Sequence, residues 1–162
     1  MADAEHSINR LTGEWNVSMA FTMEDGSTAK GKGTMRARSI SLGRGVEFVL
    51  KGDLEGIGTY VEDSMVAYNP EDDLVYHFII TSTGIVHTHT GQFTGEDRLV
   101  LRWRGTMQGD PAEQEIVVNF RSEDQLLIQQ TTRIEGRGTV SGEYSMHRMG
   151  SKVLEEPVPS FA

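Results

Sequence analysis

Cysteine is absent from this sequence of 162 residues, and positively charged residues are few. Without cysteine the chain cannot form disulfides, thiol nucleophiles or thiolate metal sites. Only 15 lysine and arginine residues stand against 24 aspartate and glutamate residues, which gives a net charge of −9. We therefore expect no nucleic-acid partner and no membrane partner, because proteins bind these negatively charged partners through clusters of lysine and arginine.

Long apolar runs and recognisable catalytic motifs are also missing. No segment approaches the roughly 20 apolar residues that span a bilayer, and no basic apolar leader opens the sequence. We therefore expect a cytoplasmic protein. No Ser-His-Asp order, no paired-carboxylate site and no cofactor fingerprint is found, so the sequence predicts no catalytic residue and no cofactor.

Apolar and polar residues alternate with a period of two from Trp15 to His147. The clearest alternation runs through Trp15, Val17, Met19, Phe21 and Met23. Such a pattern places one set of side chains on each face of a sheet. Turn-forming residues interrupt it about every ten residues, as at Asp25-Gly26 and Thr83-Gly84, which is typical of consecutive hairpins.

The pattern predicts an all-β protein of about ten strands. We expect them at 14–24, 27–42, 45–54, 58–68, 73–82, 85–94, 98–108, 113–122, 125–135 and 138–148. Ten strands without crossover helices form either an up-and-down barrel or a two-sheet sandwich. Hairpin connections throughout favour a single antiparallel up-and-down barrel, which leaves no exposed sheet edge. Ile8 and Leu11 predict a short helical turn that covers one end of it. The barrel domain is predicted over 1–149, and an extended tail over 150–162.

The segment Leu11-Thr12-Gly13-Glu14-Trp15 resembles the signature of the calycins, which include lipocalins and fatty-acid-binding proteins. The chain also resembles a bacterial lipocalin-like family of unknown function over residues 11–149. The matching features are Gly43-Arg44, Leu54 to Gly58, Ala67-Tyr68-Asn69, Thr81-Ser82 and Gly91. Ala67 and Asn69 replace the family's usual Gly and Asp, and Ile80 stands where a Trp is often found. The resemblance implies a barrel with Trp15 packed across its closed end, and it implies no particular activity.

The phase of the alternation predicts which side chains enter the lumen. This set is Trp15, Val17, Met19, Phe21, Met23, Met35, Ala37, Val46, Phe48, Leu50, Val66, Tyr68, Tyr76, Phe78, Ile80, Ile85, Phe93, Leu99, Leu101, Trp103, Met107, Ile116, Val118, Phe120, Val140, Tyr144 and Met146. Methionine adapts to varied shapes, so a lumen rich in methionine and aromatic residues suits a flat apolar molecule. The alternative is a barrel filled by its own side chains.

His87 and His89 lie two apart on one predicted strand and share the inward face of Ile85 and Phe93. Two inward imidazoles could bind a metal ion or haem, move a proton, or contact a ligand. A metal ion needs a third ligand, and a two-residue turn at the 82–84 hairpin would place His77 on the outer face. The remaining candidates are Glu47, Glu55 and His147, of which Glu47 and His147 are predicted outside. No metal site is therefore predicted, and the favoured alternative is a pair of lumen histidines hydrogen-bonded to Tyr, Thr or water.

Tyr144 and Arg148 share a face of the last strand, which resembles the Arg and Tyr that hold a carboxylate in fatty-acid-binding proteins. Alternatively, Arg148 is a solvated residue at the rim. Gln130 and Thr132 continue the apolar face of their strand and are predicted as neutral polar contacts in the lumen.

These patterns predict a module that encloses a small apolar or amphipathic molecule. The candidate ligand-binding residues are Met19, Phe21, Met35, Phe48, Tyr68, His87, His89, Trp103, Gln130, Tyr144 and Met146. The alternatives are an enzyme of isomerase, cyclase or lyase type that uses the lumen histidines, a haem-binding or metal-binding barrel, and a structural homodimer whose barrel is filled.

Overall fold

The described part of the computed structural model, residues 3–150, begins with a short helical segment and continues as ten strands. Helix α1 (Ala4–Ile8) is followed by a 3-10 helix (Asn9–Leu11). The strands are β1 (Gly13–Thr22), β2 (Thr28–Ile40), β3 (Gly45–Leu54), β4 (Gly58–Asn69), β5 (Leu74–Thr81), β6 (Val86–Gly95), β7 (Arg98–Met107), β8 (Asp110–Ser122), β9 (Gln125–Ile134) and β10 (Gly138–Arg148). The predicted tail lies outside the described residues from position 151 onward.

Each strand pairs antiparallel with the next, and β1 pairs with β10, so the sheet closes into a barrel. The predicted all-β fold and its short N-terminal helical turn are therefore confirmed. The largest difference in strand bounds is at β8, which begins at Asp110 rather than 113, followed by the ends of β1 and β2, which lie at Thr22 and Ile40 rather than 24 and 42. Among residues 3–150 there is no helix with the length and apolar character needed to cross a membrane.

The helical segment closes one end of the barrel. Asp3 caps α1 by accepting a hydrogen bond from the backbone N–H of Glu5 at 3.0 Å. Ile8 and Leu11 are buried against Trp15, whose indole N–H donates to the carbonyl of Leu11 at 2.9 Å. Burying these apolar side chains stabilises the closed end by about 2 kcal/mol each.

Strand β5 presents the face opposite to the predicted one. Val75, His77 and Ile79 are buried in the barrel, whereas Phe78 and Ile80 are exposed on its outer surface. The prediction that Tyr76, Phe78 and Ile80 enter the lumen is therefore wrong.

The loop between β5 and β6 is the physical reason. The backbone N–H of Thr81 donates to the carbonyl of Ile85, and Ile80 pairs with Val86. The connection therefore has three residues, 82–84, with Gly84 in the left-handed region at a φ of 92°. A loop longer by one residue moves every side chain of the paired strand to the other face.

The prediction that Met23 enters the lumen is also wrong, because Met23 lies beyond the end of β1 and is exposed.

One glycine permits close aromatic packing at the other end of the barrel. A Cβ atom at Gly142 would lie 2.7 Å from the ring of Phe21. The ring of Phe21 therefore packs closely against the backbone of β10 at Gly142, and it meets the ring of Tyr144 edge to face at 5.5 Å between centroids.

Candidate functional site

The lumen contains a cavity of about 40 Å³. Its wall is mostly apolar, and four polar side chains interrupt it: Glu62, His77, Gln130 and Tyr144. The apolar lining is formed by Leu11, Met35, Phe48, Leu50, Val66, Leu99, Leu101, Ile116, Val118, Ile128 and Met146. This volume holds roughly two or three water molecules, so side chains fill most of the lumen.

Glu62 is the only acidic side chain in the cavity wall. Its place in β4 is fixed between Leu50 of β3 and Thr81 of β5, and only 7% of its surface is exposed. Burial raises the pKa of this carboxyl to about 7, and the neighbouring charge of Asp63 adds to the effect. Among residues 3–150 no hydrogen bond or ion pair involves the Glu62 carboxyl group, so it borders the cavity without a protein partner.

Two tyrosines lie close to Glu62. The hydroxyl groups of Tyr60 and Tyr144 interact with one another, and Tyr144 is almost fully buried. Burial raises the pKa of both hydroxyls above the ordinary value, and the charge of Glu62 raises both further. Both tyrosines are therefore neutral near pH 7 and can donate or accept hydrogen bonds.

A row of polar side chains crosses the lumen beside the cavity. Nε2 of His77 is hydrogen-bonded to Oγ of Ser64 at 2.9 Å. Nε2 of His89 lies 2.6 Å from Oε1 of Gln114, whose Nε2 donates to Oγ1 of Thr132 at 2.8 Å. Because Gln114 uses its amide N–H group for Thr132, its oxygen accepts from His89. His89 therefore carries its proton on Nε2, and its Nδ1 is an acceptor.

The three histidines also belong to an aromatic stack. Phe48, His77 and His89 stack in that order with centroid separations of 6.0 and 5.3 Å. His87 meets His89 edge to face and stacks on Trp103 at 3.6 Å between centroids. His77 pairs directly with His89 across β5 and β6, which explains why the prediction of an outer His77 is wrong.

Burial keeps these imidazoles neutral. It lowers the pKa of His77 to about 3, with a smaller contribution from the nearby His89. Burial also lowers the pKa of His87 and of His89. The Nδ1 atoms of all three are buried without a hydrogen-bond partner. Even with His77 inside, no three His, Asp or Glu side chains within residues 3–150 are placed to bind one metal ion.

The predicted site residues fall into three groups. Met35, Phe48, Gln130, Tyr144 and Met146 line the cavity. His87, His89 and Trp103 lie in the aromatic stack, with Phe48 shared between the two. The others are not in the cavity wall: Met19 is buried in the core, Phe21 packs on Tyr144, and the Tyr68 hydroxyl donates to Asp73 at 2.8 Å near the closed end.

Sequence reasoning missed Tyr60, Glu62, Ser64 and Gln114. Each continues an alternation that was already assigned to the lumen, since Glu62 and Ser64 are in phase with Val66, and Gln114 is in phase with Ile116. The phase of β4 and of β8 therefore predicts that these four side chains enter the lumen, whereas their polar character suggests an outer face.

Arg148 does not face a ligand beside Tyr144. Its guanidinium group donates to the backbone carbonyls of Arg10, Thr12 and Glu123, and it lies 4.1 Å above the ring of Trp15. The residue therefore lies at the closed end, which agrees with the alternative of a residue at the rim and not with a carboxylate site shared with Tyr144.

A family model described as a protein of unknown function, DUF1579, matches residues 2–146. The chain belongs to the DUF1579 family. This agrees with the predicted membership of a family of unknown function. No curated protein has a sequence that matches the chain.

Solved structures with the same barrel are distant in sequence. The S-type phycobiliprotein lyase CPES from Guillardia theta is 12% identical, with a TM-score of 0.62 over 91% of this chain and 93% of the lyase. Rv2717c from M. tuberculosis is 14% identical, with a TM-score of 0.66 over 92% of this chain and 99% of its own. EF1p2_mFAP2b bound to DFHBI is 13% identical, with a TM-score of 0.53 over 91% of this chain and 100% of the EF1p2_mFAP2b chain. At these identities the likeness concerns the fold.

Proposed function

We propose that this protein binds a small amphipathic molecule in the lumen of its barrel. The observation that carries the proposal is an apolar cavity into which Glu62, His77, Gln130 and Tyr144 project, with the Glu62 carboxyl lacking a protein partner. A buried polar group without a hydrogen bond costs free energy, and a ligand that supplies the missing bond recovers it. Specific sites typically combine an apolar wall with a few such polar groups.

The ligand enlarges the cavity by displacing flexible side chains. Pockets for small molecules usually have roughly 300–1,000 Å³, which exceeds the 40 Å³ cavity between the side chains of the described lumen. Met35 and Met146 both line this cavity, and unbranched methionine side chains adopt new rotamers at little cost. We propose that these two residues move to admit the apolar part of the ligand.

Two comparisons support the proposal. EF1p2_mFAP2b, whose barrel has the same general fold, is a protein bound to the small molecule DFHBI. The Gly13-Glu14-Trp15 segment, with Trp15 buried at the closed end, is similar to the calycins, and we propose that the DUF1579 barrel is related to them. A cytoplasmic location and a homodimer remain predictions.

A proton-transfer enzyme is the second candidate. The lumen histidines are poor proton carriers near neutral pH, because burial lowers their pKa. The Glu62 carboxyl favours this candidate instead, since burial raises its pKa to about 7, close to the value that suits a general acid or base.

The proposed binding site can be tested by NMR titration with 2-phenylethanol, a small neutral amphipathic probe. We expect saturable shifts at lumen residues, and we expect the Ile128→Phe substitution to abolish them, because Ile128 lines the cavity. Leu127→Phe is the matched control, since Leu127 is the neighbouring residue on the opposite face of β9. Equal binding by both variants, or no saturable shift in the unmodified protein, would refute a lumen site.

A further inference from the structure

We infer that the lumen selects a cationic organic amine, with the Glu62 carboxylate as the anchor of the ammonium group. This inference rests on the proposed function and specifies the chemical class of its ligand. Glu62 is buried, borders the cavity, and has no hydrogen-bond or ion-pair partner among residues 3–150. A buried carboxylate is stabilised most by an opposite charge that also donates hydrogen bonds.

The described chain supplies no such charge. Every lysine and arginine within residues 3–150 is exposed except Arg10 and Arg148. Arg10 lies over Phe120 and pairs with Asp97, and Arg148 lies over Trp15 at the closed end. No described cation of the protein therefore neutralises Glu62, and the ligand is left to do so.

The rest of the cavity wall suits an ammonium group. An ammonium has three N–H donors, and one of them satisfies Glu62. Gln130 and the Tyr144 hydroxyl provide further acceptor oxygens in the same wall. The ring of Phe48 also faces the cavity, and aromatic faces attract organic cations.

A carboxylate ligand meets the opposite situation. It would place a second negative charge beside Glu62 in a region shielded from water, where like charges repel strongly. Arg148, the residue that sequence similarity suggested for a carboxylate, instead donates to backbone carbonyls outside the cavity. The lumen therefore discriminates between an amine and an acid of the same shape.

The affinity of the lumen for an amine should depend on pH. An ammonium binds best when Glu62 is ionised, and burial raises the pKa of Glu62 to about 7. The other titratable groups around it are Tyr60 and Asp63 on β4, His77 on β5, His87 and His89 on β6, and Tyr144 on β10. Burial raises the pKa values of the two tyrosines and lowers those of the three histidines, so these five side chains stay neutral near pH 7. The fraction of ionised Glu62 then changes about tenfold between pH 6 and pH 8, and the apparent affinity for an amine follows it.

The test uses three probes of one shape: 2-phenylethylamine, 2-phenylethanol and 3-phenylpropanoate. Dissociation constants are measured by NMR titration at pH 6 and pH 8. We expect the amine to bind at least tenfold more tightly than the other two at pH 8, and about tenfold more weakly at pH 6 than at pH 8. Glu62→Gln should remove this preference and its pH dependence while the alcohol still binds. Glu143→Gln, a matched change at an exposed carboxyl one residue from Tyr144, should leave the amine unaffected.

The outcomes separate the inference from the proposed function. If the alcohol binds in the lumen but the amine shows no preference at either pH, the inference is overturned and the binding function stands. If Glu62→Gln does not fold, the pH dependence of the unmodified protein decides the matter alone. If none of the three probes shifts lumen residues, both the inference and the proposed function fail.

Discussion

At the scale of single residues, the protonation of Glu62 and of His77 depends on neighbours that other strands contribute. Burial raises the pKa of Glu62 to about 7 and lowers that of His77 to about 3, so both shifts favour the uncharged form. No local pattern contains that information, because it arises only when the barrel closes around the side chains.

The raised pKa of Glu62 predicts a pH-dependent stability. Between the ordinary pKa of 4.5 and the folded value of about 7, the folded protein holds a proton that the unfolded chain releases. The contribution of Glu62 to the free energy of unfolding therefore falls as pH rises through this window, and it levels off above pH 7. Replacing Glu62 with glutamine removes this loss.

We expect the stability of Glu62→Gln relative to the unmodified protein to increase by about 2 kcal/mol between pH 5 and pH 8. Urea denaturation of both proteins at the two pH values measures this difference, and the comparison cancels the effect of the buried histidines. Glu143→Gln serves as the exposed control. A difference that is the same at both pH values would mean that Glu62 is not buried as described.

At the scale of elements, β5 is the strand that the sequence could not orient. Its segment from Leu74 to Thr81 is apolar on both faces, so its alternation is ambiguous, and the predicted lumen face of Tyr76, Phe78 and Ile80 was the wrong one of the two. The actual three-residue loop, with Gly84 in the left-handed region, reverses the faces. Strands with a polar outer face, such as β1 and β7, were oriented correctly because their alternation is unambiguous.

The register of β5 predicts opposite effects at adjacent residues. Ile79 is 4% exposed and Ile80 is 45% exposed, although sequence alternation placed Ile80 inside. We expect Ile79→Ala to lower the free energy of unfolding by about 2–4 kcal/mol, since it leaves a cavity in the core. Ile80→Ala should change it by less than about 0.5 kcal/mol, since it alters an exposed side chain. Chemical denaturation of the pair measures both, and the reverse ranking would mean that the register is wrong.

At the scale of the whole molecule, the barrel itself was predictable. Ten alternating segments joined by short turns, with no room for crossover helices, leave few architectures, and closure removes the free edges that an open sheet would expose. The cavity was not predictable in the same way. Its volume of about 40 Å³ depends on how methionine and aromatic side chains from all the strands pack together.

The central claim is that the space between Met35, Met146 and Glu62 receives a ligand. The most direct measurement is a nuclear Overhauser experiment on protein with ¹³C-labelled methionine methyl groups, saturated with 2-phenylethylamine at pH 8. We predict intermolecular contacts from the probe to the methyl groups of Met35 and Met146, and none to Met65, which is exposed on the outer surface. Contacts to Met65 alone, or to no methionine at all, would contradict the account.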